Sequence, residues 1–180
     1  MGLLIHRSVV IAAIVAGVLI GNGTARAQSS AAEITANYIV HFVRFTTWPA
    51  DALASGAPVV ICVAGNDWVA SELAQLARTK DIEGRALSVR RISLDAAVSG
   101  CHVLYGSNLS GDRTERLLRV TSSLPILTLS DTTDFAERGG IANFFIDDSR
   151  LRFSVNPGAA SRARLQISSR LLSLARIVGS

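Results

Sequence analysis

The sequence predicts an α/β fold: a single three-layer domain with a mostly parallel sheet, helices on both faces, and a C-terminal β-hairpin followed by a long amphipathic helix. Two observations predict this class. Apolar runs of strand length alternate with segments whose apolar residues recur every three or four positions, an order typical of a parallel sheet with covering helices. Residues 139–178 then show a Gly-Gly turn, two strands and a helix. The sequence contains no repeats or interdomain linkers, so we expect one domain over residues 28–180.

The first residues are typical of an export signal. Arg7 supplies the positive charge, residues 8–21 form an apolar core, and residues 25–27 have the small-x-small cleavage pattern. We therefore expect residues 1–27 to be a signal peptide cleaved after Ala27, leaving a soluble exported protein. An uncleaved membrane anchor is the less favoured alternative, because the apolar run is shorter than the ~20 residues that a spanning helix needs.

The charge of the mature chain argues against a polyanionic partner. Removing Arg7 and Arg26 with the signal leaves 16 basic residues against 14 acidic ones, a net charge of +2. This charge is too small to indicate binding to nucleic acid or to an anionic membrane surface.

The first element of the mature chain is predicted to be a helix. Ile34, Tyr38 and Phe42 fall on one face of it, and Pro49 requires it to have ended, since the residue before a proline disfavours helix. Trp48 has two interpretations. It is more often a core residue than a binding platform, and both remain open.

Three apolar runs, over residues 58–64, 101–105 and 125–129, predict buried parallel strands. Helices are expected after the first two, and Asp131 is expected to cap a short helix after the third. Ligands of such sheets bind at the carboxyl ends of the strands. The residues predicted there, as candidate ligand loops, are Gly65, Asn66, Asp67, Ser107, Asn108, Ser130 and Asp131.

The C-terminal segment is predicted as a hairpin and a helix. Residues 141–146 form an apolar run, and residues 151–155 alternate apolar and polar side chains as in a strand with one buried face. Asn156 and Pro157 then predict a helix start, because Asn accepts from the free amides and Pro needs no amide hydrogen at the first position. Apolar residues at steps of three or four continue to Val178, which predicts the long helix.

Cys62 and Cys101 are the two cysteines of the chain. An even count in an exported protein indicates a disulfide, and two buried free thiols are the alternative. The bond requires the strands that carry the cysteines to be neighbours.

Catalytic patterns are missing from the sequence. It lacks G-x-S-x-G, G-x-x-x-x-G-K and H-E-x-x-H, and it has no Cys/His spacing typical of a metal site. Only His41 and His102 remain after export, and we expect an exposed helix residue and a structural histidine, respectively. The sequence therefore favours a protein that works by binding, without a cofactor or a metal, over an enzyme.

Several segments, taken in order, resemble the YfiR-like family. They are R-F-x-x-W-P at residues 44–49, I-C-V at 61–63, G-C-x-V-L at 100–104, and R-F-x-V-N at 152–156 followed by S-S-R-L-L-x-L-A at 168–175. The better-known members carry a second cysteine pair, and Ala136 and Asn143 stand at the comparable positions here.

This resemblance implies a regulatory role in the periplasm. YfiR-like proteins repress an inner-membrane diguanylate cyclase by binding its periplasmic sensor domain, which lowers cyclic-di-GMP and biofilm formation. An outer-membrane lipoprotein relieves the repression by sequestering the regulator, and a homodimer is also compatible with the family. The alternative function is a periplasmic sensor or binding protein for a small molecule.

The partner-facing residues are predicted from exposed helix faces alone. A solvated helix face is the usual explanation of such a pattern, and it remains the alternative here. The candidates for the partner surface are Trp48, His41, Arg44, Arg162, Gln166 and Arg170.

Overall fold

A computed structural model of the chain describes residues 30–65, 67–95 and 98–179. The signal peptide expected over residues 1–27 lies outside the described residues.

Helices and short strands alternate along the described chain. The helices are α1 (30–44), α2 (Asp67–Thr79), α3 (Gly111–Thr121), α4 (Pro157–Arg162) and α5 (Ser169–Leu172). The strands are β1 (Thr46–Thr47), β2 (Val59–Ala64), β3 (Asp81–Ile82), β4 (Arg85–Arg91), β5 (Val103–Gly106), β6 (Leu127–Ser130), β7 (Ala142–Asp147), β8 (Arg150–Val155), β9 (Gln166–Ile167) and β10 (Arg176–Ile177).

The main sheet has eight strands in the order β10-β8-β7-β6-β5-β2-β4-β3. Its central pairs are parallel, while β7 and β8 form the antiparallel hairpin expected from the sequence. Strands β1 and β9 form a separate antiparallel pair. The predicted mostly parallel α/β sheet is therefore confirmed.

Helices pack on both faces of this sheet, as three layers require. Alternate residues of β2 enter different hydrophobic clusters, because successive side chains of a strand point to opposite faces. Ile61 packs in the cluster that contains Phe42 of α1 and Leu73 of α2. Cys62 packs in the cluster that contains Leu117 of α3.

The predicted disulfide is present. Cys62 lies in β2, Cys101 comes just before β5, and these two strands pair in parallel. The Cα atoms of the two cysteines are 5.8 Å apart, which is within the usual range for a disulfide. The bond therefore joins two adjacent central strands across 39 residues of sequence.

The predicted long C-terminal helix is wrong. Its start is correct, since the Asn156 side chain caps α4 by accepting from Ala159 N. The helix ends after six residues, because Arg164 adopts a φ of 58° and that left-handed conformation leaves the helical path. The chain then forms β9, the short helix α5 capped by Ser168, and β10. Pairing with β1 and β8 replaces the helical hydrogen bonds expected for this segment.

Candidate functional site

Four of the residues predicted at the strand ends, Gly65, Ser107, Asn108 and Asp131, come together. Strands β2, β5 and β6 are neighbours, so their carboxyl ends bring Gly65, Ser107 and Asp131 to one edge of the sheet. Gly65 allows this approach, because its φ is 113° and a Cβ atom there would collide with the carbonyl oxygen of Ser107. Of the other predicted loop residues, Asn66 lies outside the described residues and Asp67 begins α2.

Asp131 is the centre of this strand-end cluster. Its carboxylate accepts hydrogen bonds from the Tyr105 hydroxyl at 3.0 Å, the Ser107 hydroxyl at 3.1 Å and the Asn108 amide at 2.6 Å. Burial, and then the nearby Asp131 carboxylate, raise the pKa of Tyr105 well above its usual range. The expected helix cap at Asp131 is wrong, since turns follow β6. The carboxylate instead braces the end of β5 against the end of β6, and a ligand at this edge stays a prediction.

We expect Asp131→Ala to destabilise the protein by about 1–3 kcal/mol. The substitution removes the acceptor of the buried Tyr105 hydroxyl, and leaving a buried donor unsatisfied costs about that much. Urea unfolding of the two proteins would measure the difference. Asp112→Ala, which removes an exposed carboxylate from the first turn of α3, is the matched control and should cost less than about 1 kcal/mol. Equal effects of the two substitutions would contradict the bracing role of Asp131.

His102 has the structural environment expected from the sequence. Its Nδ1 accepts a hydrogen bond from Val60 N at 2.9 Å, and its Nε2 lies 3.1 Å from Ala52 O. An imidazole that accepts at Nδ1 carries its proton on Nε2 when neutral. Burial, and in smaller part the charge of Arg85, lower the pKa of His102 below its usual value, against the Ala52 hydrogen bond, which raises it.

The predicted partner residues of α1 and of the C-terminal segment lie on the same side of the molecule. The β1–β9 pair aligns Thr46 with Ile167, and Ser168 N donates to Phe45 O at 2.9 Å. These contacts hold the end of α1 against the start of α5. They bring His41 and Arg44 close to Gln166 and Arg170, which are more than 120 residues later in the sequence.

Two grooves adjoin on this side, with Phe45 lining both of them. We call the surface that they form the interaction face. The first is an apolar groove of about 400 Å³, lined by Tyr38, His41, Phe42, Phe45, Leu151, Arg152, Phe153, Leu171 and Leu174. The second is a polar groove of about 570 Å³, lined by Arg44, Phe45, Thr47, Glu83, Gln166, Ile167, Ser168 and Arg170.

Leu174 is the most exposed large apolar residue of the apolar groove. Its side chain is 73% exposed, while Phe42 and Phe153 form the buried floor. The ring of Phe42 makes edge-to-face contacts with two other rings, and these contacts fix its position. Its centroid lies 5.1 Å from that of Phe153 and 5.5 Å from that of Phe144. The groove therefore combines a rigid aromatic floor with an aliphatic side chain that is open to a partner.

Two of the predicted partner residues do not belong to the interaction face. Trp48 is only 8% exposed, and its indole N–H donates to His102 O at 3.2 Å, so the structure supports its interpretation as a core residue. Arg162 ends α4 and lines a separate cavity of about 220 Å³. The helical spacing places Leu174 on the buried face of the predicted long helix, whereas the structure exposes this side chain.

In the three described ranges, no group of three or more His, Cys, Asp or Glu side chains could hold a metal ion. Within the same ranges, the helices are too short or too polar to cross a membrane.

Comparison with known proteins gives one family and a common fold. A family model described as YfiR/HmsC-like matches residues 32–176. No curated protein matches the chain.

Two solved structures have a similar fold. One is a conserved domain protein from Vibrio cholerae O1 biovar El Tor str. N16961, at 16% identity and a TM-score of 0.50. The other is the ABC domain in complex with L-Trp from Streptococcus pneumonia, at 12% identity and a TM-score of 0.50. Each match covers 72% of this chain and 57% of the other one, so the chain spans little more than half of either. At these identities the likeness concerns the fold alone.

Proposed function

The chain belongs to the YfiR/HmsC-like family, and on that premise we propose that it represses an inner-membrane diguanylate cyclase by binding the periplasmic sensor domain of that enzyme. Members of this family are regulatory proteins of the periplasm and not enzymes. The proposal assigns residues 1–27 to a cleaved signal peptide and residues 28–180 to the regulatory domain. The expected consequence of this repression is a lower level of cyclic-di-GMP and less biofilm.

The exposed Leu174 above the aromatic floor of the apolar groove is the observation that supports this proposal most. Protein interfaces gain most of their free energy from a few apolar or aromatic side chains that become fully buried near the centre of the contact. Leu174 and the neighbouring Phe45 have the position that this pattern requires. We propose that an apolar side chain of the cyclase enters the groove and buries Leu174.

The polar groove beside the apolar one favours a partner surface that carries negative charge. Arg44 and Arg170 line it together with a single acidic residue, Glu83. A partner surface with acidic groups opposite the two arginines would associate faster at low salt, because complementary charges steer the encounter. The proposal therefore expects the cyclase domain to present an apolar centre with an acidic rim.

Repression follows if the regulator prefers the inactive state of the cyclase. A ligand shifts an equilibrium only by its difference in affinity for the two states. About 5.5 kcal/mol of difference changes a population from nearly all active to nearly all inactive. A lipoprotein of the outer membrane that binds the same face would lower the free regulator and restore activity.

Deletion of the gene tests the proposal in cells. We expect cyclic-di-GMP and biofilm to rise in the deletion strain and to return to the wild-type level when the gene is supplied again. Deleting the cyclase gene as well should remove the rise, because the cyclase is its source. An unchanged cyclic-di-GMP level in the single deletion would contradict the proposal.

A small-molecule binding protein is the second candidate, and the polar groove favours it. A volume of about 570 Å³ is within the usual range of ligand pockets, and two guanidinium groups suit a carboxylate or a phosphate. A thermal-shift screen of amino acids, nucleotides and vitamins would identify such a ligand. A shift that disappears in Arg44→Ala and Arg170→Ala would favour this function over the first.

A further inference from the structure

The edge of the main sheet at β8 is covered along only part of its length. Strand β10 pairs with β8 at two positions, Arg176 with Ser154 and Ile177 with Val155. The preceding residues of β8, 150–153, pair with β7 on their other side. Within the described residues, no further strand lies beside 150–153. The first half of β8 is therefore an open sheet edge.

The backbone bonds of β8 show which groups point out of this open edge. Val155 O accepts from Val178 N at 2.9 Å, so the backbone of Val155 faces β10 and not β7. In an antiparallel pair, the amide and the carbonyl of one residue point to the same side, and the side alternates along the strand. Leu151 is four residues earlier, so its N–H and C=O also point away from β7. The Tyr38 hydroxyl donates to Leu151 O at 3.3 Å, and that oxygen has a second lone pair for a partner.

The apolar groove lies against the same edge. Leu151, Arg152 and Phe153 line it from β8, while α1 and Leu174 form its other walls. The groove therefore offers backbone hydrogen-bonding groups together with apolar side chains. A peptide that adds a strand to a sheet edge uses both, because the backbone bonds supply affinity and the pockets for alternate side chains supply specificity.

The two faces of the open edge differ in chemistry. On one face, Phe153 packs against Phe42 of α1, with 5.1 Å between the ring centroids. Arg152 points to the other face, because successive side chains of a strand alternate. Its side chain is 52% exposed and lies 4.0 Å from the carboxylate of Asp147, a surface contact of a kind that contributes little. A strand beside β8 would thus meet aromatic rings on one face and a positive charge on the other.

We propose that the cyclase sensor domain binds by adding an extended segment to the sheet, as a further strand beside residues 150–153 of β8. Every second side chain of the segment is apolar and lies on the aromatic floor, against Leu174. The side chains between them are acidic and face Arg152. This inference rests on the proposed function, and it adds the conformation and the sequence pattern that the regulator recognises. A helix could not use the open edge, because its backbone groups are bonded internally.

Hydrogen exchange of single amides tests the strand pairing. The exchange rate of Leu151 N–H is measured by NMR in the free protein and in the complex with the sensor domain, at one pH and temperature. A hydrogen bond to the added strand should slow this amide at least about tenfold. The amide of Arg152, which faces β7, should exchange slowly in both states. If Leu151 N–H exchanges as fast in the complex as in the free protein, the pairing is wrong.

Leu151→Pro tests the same hydrogen bond by affinity, with Leu151→Ala as its matched control. Both substitutions remove the leucine side chain, but only proline also removes the amide hydrogen. Proline is compatible with a strand where the N–H faces away from the neighbouring strand. We expect Leu151→Pro to bind the sensor domain about tenfold more weakly than Leu151→Ala. Equal affinities would contradict the pairing, and if the proline variant does not fold, the exchange measurement on the wild type decides.

The outcomes separate this inference from the proposed function. A sensor domain that binds without slowing Leu151 N–H overturns the added strand and leaves the proposed function in place. A sensor domain that does not bind overturns both. Exchange of this amide that slows in the protein alone as its concentration is raised identifies a second copy of the chain as the occupant of the edge, and that result also overturns the inference.

Discussion

Replacing Leu174 by aspartate is expected to abolish repression of the cyclase. The side chain is 73% exposed in the free protein, so a charge there costs little in folding. In the proposed complex the same carboxylate would be buried against the aromatic floor of the apolar groove, and removing a central anchor of this kind typically costs at least about 2 kcal/mol. Binding of the cyclase sensor domain should therefore weaken about 30-fold or more. Titration calorimetry measures the affinity, and cyclic-di-GMP should rise as in the deletion strain.

Ile146→Asp is the matched control for this substitution. Ile146 is 70% exposed near the end of β7 and does not line the apolar groove. It therefore differs from Leu174 in position and hardly at all in exposure. We expect Ile146→Asp to bind and repress like the wild type, with both variants unfolding near the wild-type temperature. Wild-type binding by Leu174→Asp would exclude the apolar groove from the interface.

Removing the disulfide is expected to have the largest effect on stability. Replacing Cys62 and Cys101 together by alanine opens a link across 39 residues, and the chain-entropy model gives a loss of about 4 kcal/mol for a loop of this length. The guanidinium of Arg90 lies 3.5 Å from Cys62 Sγ and 3.3 Å from Cys101 Sγ. Losing these contacts adds to the destabilisation. Urea unfolding measures the change in free energy.

Reduction of the wild type provides the control for the double variant. When the wild type is unfolded in urea with a reductant present, its free energy of unfolding should fall by a comparable amount. The reductant should leave the free energy of unfolding of the double variant unchanged. A double variant as stable as the oxidised wild type would contradict the role of the disulfide in holding β2 and β5.

The central fold could be predicted because its signals are local. The continuous apolar run of β2 and the alternating side chains of β8 each indicate a strand without reference to the rest of the chain. The cysteines add one long-range constraint, and it places β2 beside β5 correctly. Asn156 and Pro157 likewise mark the start of α4 at the right residue.

The C-terminal segment could not be predicted because long-range pairing determines its structure. Apolar residues at helical spacing continue through this segment, although Arg164 turns out of the helix and Ser168 begins a new one. The pairing of β9 with β1 joins residues about 120 positions apart. A periodic pattern contains no information on such a contact, and tertiary structure overrides a weak local preference for helix.

The same error explains which part of the site was missed. The helical pattern predicts exposed positions for His41, Arg44, Gln166 and Arg170, and the structure brings them to one face. The same pattern predicts that Leu174 lies in the core, because a continuous helix would turn it inward. Interruption of the helix after α4 instead leaves it on the surface, which creates the apolar groove that the sequence did not predict.

Photo-crosslinking from position 174 tests the central claim most directly. A photoreactive amino acid in place of Leu174, in the protein expressed in its own periplasm, should yield a crosslinked product that contains the sensor domain of a diguanylate cyclase. The same amino acid in place of Ile146 should yield much less of it. The account is contradicted if position 174 gives no cyclase product in cells where deletion of the gene raises cyclic-di-GMP.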